Sequence, residues 1–452
     1  MSLGSPVPSS SGAVATSTVA STPPSAPLAR LMAAIGGLAV LGALALAGAP
    51  PAASAPPPPV APRLWVNPQS STLEHVSELG LTGDARDDAL ALAALPSATW
   101  FTAGTPREVK QDVKRVVVGA HADGEVPVLV AYNVPFRDCA QYSAGGATSL
   151  AEYTAWIDGF AKGIGNKPAI VILEPDGLGI IPWYTTYEGT QEWCRPAEAD
   201  PDTAADERFA MLNHAVDTLG ALPATNVYLD AGHSDWLNTG DDADRLLKAG
   251  VERADGFFLN ASNYQYTENS VAYGRWISSC IALVTQAGGA LGDCGNQYWN
   301  GGPATGWSGV EMSPYGRWSS GDPEPALNTA GVDSRYAEQL GDVAPTTSFV
   351  VDTSRNGQGP WDPATSANTY ADPEDWCNPP GRGLGLRPTL DVDEPLVDAY
   401  LWIKVPGESD GQCFRGTGGP LDPERGIVDP PAGQWFVEQA DELIDLAVPP
   451  LG

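Results

Sequence analysis

An α/β fold built on a parallel sheet is predicted by three observations. Short, nearly uninterrupted apolar runs rich in β-branched residues recur along the chain. Most of them end in a polar or acidic residue. Between the runs lie segments whose apolar residues recur at helical spacing. Strands with no alternating polar face are buried on both sides, as in a parallel sheet covered by helices. Strand followed by helix, repeated, gives either an α/β barrel or a doubly wound sheet.

In chain order, Leu64–Asn67 and Thr99–Thr102 are two short candidate strands. Val126–Asn133, Ala169–Asp176, Asn226–Asp230, Gly256–Asn260, Ser348–Asp352 and Ala399–Lys404 follow. Trp156, Ile157, Phe160 and Ile164 mark one helix, and Phe209, Leu212, Val216 and Leu219 another. Leu246–Ala254, Val271–Ala287 and Trp435–Ala447 read as three more. In a barrel the chemistry collects at the C-terminal ends of the strands. Those ends offer Asn133, Asp176, Asp230, Asn260 and Asp352, with Asp410 just beyond Lys404. Residues 289–345 break the rhythm and read as a long loop insertion, rich in Gly, Pro, Ser and Trp. Tyr298, Trp299, Trp307, Tyr315 and Trp318 give that stretch apolar surface that disordered segments lack.

Composition narrows the function. A chain of 452 residues with 43% hydrophobic content is long enough for one large enzyme domain. The net charge of −31, with no run of Lys or Arg, repels nucleic acid and anionic membrane. A neutral polysaccharide is indifferent to that field. Residues 1–62 read as a targeting and low-complexity segment, and the catalytic domain as 63–452. Arg30 precedes an apolar run from Leu31 to Ala49, and the small residues Ala53, Ser54 and Ala55 supply a cleavage signal before Pro56–Pro59. A cleaved secretory signal and an extracellular location are expected. Left uncleaved, the run is about long enough for a membrane anchor. Six cysteines without a C-x-x-C pair, and only four histidines, point to disulfides and to no metal or other cofactor. Composition leaves the pairing open. No second domain on a linker is evident, and a monomer is expected.

Hydrolysis of an acetal needs a proton donor for the leaving oxygen and an acceptor for the proton of water, so two carboxyls of different pKa serve. A free Asp titrates near ~3.9, and only burial or a like charge keeps it protonated at neutral pH. Asp176, after Glu174 and Pro175 at the end of a very apolar run, is placed for that.

Six segments in order carry a resemblance. They are Val130-Ala-Tyr-Asn-Val-Pro-Phe-Arg-Asp-Cys139, Val171-Ile-Leu-Glu-Pro-Asp176 and Tyr228-Leu-Asp-Ala-Gly-His-Ser-Asp-Trp236. Val351-Asp-Thr-Ser-Arg-Asn-Gly357, Trp376-Cys-Asn378 and Trp402-Ile-Lys-Val-Pro-Gly-Glu-Ser-Asp-Gly411 complete the set. From about Leu64 to its end the chain resembles glycoside hydrolase family 6, cellulases comprising endoglucanases and cellobiohydrolases. The resemblance implies a distorted parallel β/α barrel of seven to eight strands with its active site at the C-terminal strand ends. It implies inverting hydrolysis of β-1,4-glucan, with endo action favoured over release of cellobiose from chain ends.

Carried over by motif, Asp176 resembles the general acid. Asp138 resembles the carboxylate that raises the acid's pKa and organises water, and Tyr132 the residue that distorts the sugar. Asp410 holds the position of a catalytic base, or is a structural partner of Lys404 or Arg355. Trp236 and Trp376 resemble sugar-stacking platforms, and Lys404 and Glu408 resemble hydrogen-bonding partners of glucose hydroxyls. His233 and Asn263 fall on further binding positions. Asp230 reads as orienting or structural, and Arg137 and Arg355 belong to the same motifs. The implied disulfides are Cys139 with Cys194 and Cys377 with Cys413, leaving Cys280 with Cys294. The family often places a water-holding serine five residues after the Arg-Asp-Cys cysteine; here that position is Ala144, next to Ser143. Two other readings predict different behaviour. A silent carbohydrate-binding protein would release no sugar, and a metal-dependent hydrolase using clustered Asp would be stopped by chelator.

Overall fold

The computed structural model describes residues 62–451. The segment expected to target the chain for export lies, but for its last residue, outside the described residues. Helices α1 (Ser71–Glu78) and α2 (Asp84–Ala93) precede β1 (Thr99–Phe101). Then follow α3 (Pro106–Asp123), β2 (Val128–Ala131), α4 (Leu150–Ile164), β3 (Ala169–Leu173), α5 (Ala204–Gly220) and β4 (Thr225–Asp230). The second half holds α6 (Thr239–Ala249), β5 (Gly256–Leu259), α7 (Thr267–Thr285), α8 (Ala330–Leu340), β6 (Ser348–Asp352), β7 (Val397–Leu401) and α9 (Val437–Asp445).

All seven strands are parallel, and their order in the sheet is their order in sequence. A doubly wound sheet would reverse direction at a switch point; this one curls steadily in one sense into a distorted α/β barrel. No ladder joins β7 to β1 among the described residues. The seam is crossed by Ala98 N–H donating to the Trp402 carbonyl at 2.9 Å and by the Trp100 indole donating to the Ile403 carbonyl at 2.8 Å.

The strands bury both faces, and alternate residues separate into two cores. Val128, Val130, Ile170, Ile172, Tyr228, Phe258 and Val350 pack together inside the barrel. Leu129, Val171, Leu173, Val227, Leu229, Phe257 and Phe349 pack outward against the helices. α3 shows how sequence builds that outer layer. Thr105 and Glu108 form a capping box, Pro106 opens the helix, and Gly124 ends it in the left-handed region at φ 73°. Val109, Val113, Val117 and Ala120, one helical turn apart, form its buried stripe.

Several boundaries differ from the sequence reading. Leu64–Asn67 forms only one parallel bridge, Leu64 to Val126, so the sheet has seven strands. β7 begins and ends earlier than expected, which puts Lys404 in the turn beyond it. Gly250, at φ 88°, stops α6 before the predicted Leu246–Ala254 segment is complete. The 289–345 stretch, read as loop, contains α8, which buries Val332, Tyr336 and Leu340.

Candidate active site

The strand C-termini open into a cleft of about 670 Å³. β2 and the loop after it bring Tyr132, Arg137 and Asp138 to its wall, and the turn after β3 brings Asp176. The loops after β4 and β5 contribute His233, Trp236 and Asn263. The long segments flanking β7 contribute Trp376, Lys404, Glu408 and Asp410. Asp230 and Arg355 lie behind this surface. Asp230 accepts the N–H groups of Leu178, Gly179 and Gly232, at 3.1, 3.0 and 3.2 Å. Arg355, fully buried, donates to Asp410 at 2.9 Å. Strand-end Asp352 does not face the cleft chemistry either. Its carboxylate is occupied by four backbone N–H groups, those of Ser262, Ser354, Ile403 and Lys404.

The backbone at the two carboxylate loops is unusual. Phe136, Asp138 and Cys139 on one turn, and Glu174 and Asp176 on the other, all have φ between 46° and 60°. Each such residue costs of order 1–3 kcal/mol and persists only where its surroundings hold it. Here the hold is visible. The fully buried Glu174 accepts Asn133 N–H at 2.8 Å and Val134 N–H at 3.0 Å, tying the β3 turn to the end of β2. Arg208, on α5, donates to the carbonyls of Gly177 and Ile180 at 2.7 and 2.9 Å, and to that of Pro135 at 2.8 Å. The Cys139–Cys194 disulfide fixes the outer end of the Asp138 turn. Cys280–Cys294 and Cys377–Cys413 complete three bridges.

Asp176, Asp138 and Asp410 are held in different charge states. Burial, and then the like charges of Asp230, Asp138 and Asp410, keeps the Asp176 carboxyl well above the usual carboxylate range. No hydrogen bond to that carboxyl is found among the described residues, so nothing pulls it back. Asp230 is the largest like-charge contribution, ahead of Asp138. Burial raises Asp138 to about 6, against the pull of the Ser143 N–H at 2.7 Å and of Arg137. Asp410 goes the other way. Burial alone would raise it, but Arg355 and Lys404 outweigh that and hold it below the ordinary value. Tyr264 O–H and Asn378 N–H also donate to it, at 2.9 and 3.1 Å. A carboxylate so fully engaged is a weak proton acceptor; Asp138 is the better one. At neutral pH these three therefore comprise one protonated acid and two carboxylates.

The other cleft residues expected from the sequence are neutral or already engaged. Burial lowers His233 to about 4, and its Nδ1 accepts Asp235 N–H at 3.3 Å. The His233 and Trp236 rings lie 5.6 Å apart, and Trp376 sits 5.9 Å from the Tyr142 ring. Burial and the neighbouring Asp176 and Asp138 raise Tyr132, which stays a phenol. Its ring meets Trp100 edge-on and carries the Arg137 guanidinium at 4.5 Å. Glu408 faces the cleft but is contacted by Ser71 O–H and by His75 Nε2, the latter at 3.7 Å. Among the described residues no group of three His, Cys, Asp or Glu is arranged to hold a metal ion.

Sequence reasoning missed several members of the site. Glu174 stood inside a quoted motif, and a charged residue closing an apolar strand is itself a signal of a buried partner. Trp100, Tyr142 and Trp193 line the cleft without any motif to mark them. Tyr315 brings the 289–345 segment to the cleft wall. Asp235 and Asp375 also line it, and burial, with the charges of Asp375 and Glu311, raises Asp235 to about 7.

Known proteins of similar sequence and fold point the same way. Residues 60–447 match Glycosyl hydrolases family 6. Endoglucanase 1 of Streptomyces sp. (strain KSM-9) is 32% identical over 73% of this chain and 68% of its own length. Endoglucanase A of Thermobispora bispora is 30% identical over 80% of this chain; the match spans only 60% of that relative. Among solved structures, the endoglucanase Cel6 from Mycobacterium tuberculosis, in complex with a methyl-cellobiosyl thio-cellobioside, is 32% identical. It superposes with a TM-score of 0.58 over 84% of this chain and 96% of its own. Cellobiohydrolase II from Humicola insolens, at 23% identity and TM-score 0.58, shares the fold over 86% of this chain and 98% of its own. With six ordered motifs, a seven-stranded distorted barrel and this match over most of its length, the chain belongs to glycosyl hydrolases family 6.

Proposed function

We propose that the protein hydrolyses β-1,4-glucosidic bonds of cellulose or a related β-glucan with inversion at the anomeric carbon, cutting within chains. The observation that carries this reading is the split between Asp176, held protonated, and Asp138, which is ionised at neutral pH. Asp176 gives its proton to the glycosidic oxygen as the bond from that oxygen to C1 breaks. Water attacks C1 from the opposite face, and its proton passes to the Asp138 side. Inverting enzymes need roughly 6.5–9.5 Å between such carboxyls to admit that water. Tyr132 supports the distorted sugar, while Trp236 and Trp376 stack on the apolar faces of neighbouring rings. Lys404, Glu408, His233 and Asn263 meet hydroxyls. Asp410 serves as a structural anion for Arg355 and Lys404, and Asp230 supports the Asp176 turn. The relatives at 30% identity or more that are named above are endoglucanases, which favours internal cuts. We further propose a secreted monomer whose 1–62 segment is removed on export, with 63–452 as the catalytic domain.

Reducing-sugar release from soluble cellulose, lost in Asp176→Asn, tests the assignment, and the first-formed product should carry the inverted anomer. A product that retains the substrate's configuration defeats it. Rapid viscosity loss at low sugar release marks internal cleavage; slow thinning with steady cellobiose marks chain-end action.

A further inference from the structure

Among the described residues, strongly exposed Trp, Tyr and Phe side chains occur in two places. Trp193 is in the cleft. The other four are Tyr298, Trp299, Trp307 and Tyr315, between 40% and 54% exposed, all within one lobe at 298–315. Clustered aromatics facing water mark an interaction surface.

The lobe is built to hold them still. Asn300 N–H donates to the Val310 carbonyl at 3.0 Å, and Met312 N–H to the Gln297 carbonyl at 2.8 Å, so two arms run side by side. The Asn300 side chain locks the arms by accepting Val310 N–H and donating to the Pro325 and Asn328 carbonyls. The Trp299 indole lies against two glycines. A Cβ at Gly301 would come within 2.4 Å of its ring, and one at Gly309 within 2.8 Å. The ring is thus pinned to bare backbone while 40% of the residue stays open. Trp307 is held at φ 61°, a conformation bulky residues avoid, with its N–H bound to the Gly302 carbonyl at 2.8 Å. The surface is continuous with the cleft: Tyr315 lines both, and Tyr298 O–H donates to the Trp236 carbonyl.

We propose that this lobe is a second carbohydrate platform, on which a β-glucan chain stacks against Trp299 and Trp307 outside the cleft. The ligand chemistry follows from what is exposed. Rigid aromatic faces suit the C–H face of a pyranose ring. The only exposed large aliphatic in the lobe is Val310, too little for an apolar protein contact. This proposal rests on the glucanase reading above, and its test separates the two.

Binding to insoluble cellulose is measured by depletion with Asp176→Asn as the parent, so that no substrate is consumed. Trp299→Ala/Trp307→Ala in that background should weaken binding about tenfold, as expected for losing two aromatic contacts. In the active protein the same pair should leave hydrolysis of short soluble cello-oligosaccharides unchanged. Trp307→Ala alone, which removes the more exposed ring, guards against misfolding and should give part of the loss. Unchanged cellulose binding by the double variant overturns the platform while leaving the glucanase reading intact. So does a concentration-dependent dimer that the same substitutions dissociate, since it would make a second copy the occupant. Sugar release by Asp176→Asn itself overturns the glucanase reading instead.

Discussion

Replacing Asp410 by Asn separates a structural anion from a catalytic base. The carboxylate is buried, with the guanidinium of Arg355 at 2.9 Å and the ammonium of Lys404 at 3.4 Å. Arg355 has no exposed side-chain surface, so its charge loses its main counterpart where water cannot replace it. Breaking a buried pair from one side costs about 3–5 kcal/mol. For a domain of this size that lowers Tm by roughly 4–6 °C. Asp138→Asn, on a half-buried turn with one hydrogen bond to that carboxylate, should melt close to the parent. The two differ again in pH–rate profiles. Asp138 must be ionised to receive a proton, so kcat/KM should fall as pH drops through about 6. That acidic limb should survive in Asp410→Asn and vanish in Asp138→Asn, whose rate at neutral pH falls about 10²–10⁴-fold. Thermal melts and profiles on soluble cellulose read both effects. An Asp410→Asn protein that melts like the parent yet loses the acidic limb would refute the reasoning and make Asp410 the base.

Three further outcomes follow from the same site. Burial raises Glu174 to about 7 from an unfolded value of 4.5, so the folded state holds that proton more tightly. Its stabilising contribution is full below 4.5 and is lost as pH rises through about 7, on the order of 3 kcal/mol. Melts at pH 5 and pH 8 should show most of that difference, and Glu174→Gln should remove most of it. Trp376→Ala should raise KM for cello-oligosaccharides about tenfold with little change in kcat, because stacking is shared by ground and transition states. Removing the Cys139–Cys194 bridge, which closes a separation of 55 residues, should cost about 4 kcal/mol of stability on the chain-entropy account. Differential scanning calorimetry of the double Ser variant measures it.

The fold was legible where burial writes itself into composition. β3, Ala-Ile-Val-Ile-Leu, is buried at all five positions, and an apolar run of that length reads as a covered parallel strand. Leu64–Asn67 looks similar on paper, but what makes a strand is a neighbour, and one bridge to Val126 is all it finds. α8 was illegible because its apolar stripe is short and sits among Gly and Pro. The cleft residues were legible as motifs at strand ends, yet their charge states were not. Asp176, Asp230 and Asp410 are the same residue type at similar places in the chain pattern. Only the three-dimensional donors distinguish them: none found for the first, three backbone N–H groups for the second, two cations for the third.

Arg208 and Glu174 grip both carboxylate turns from behind, out of reach of any sugar. The gap across which a bond would be cut is consequently dictated by α5 and the end of β3, not by the rim of the groove. Rim segments such as 298–315 are thereby free to lengthen, shorten or acquire new contacts, and the distance between acid and water stays as it was.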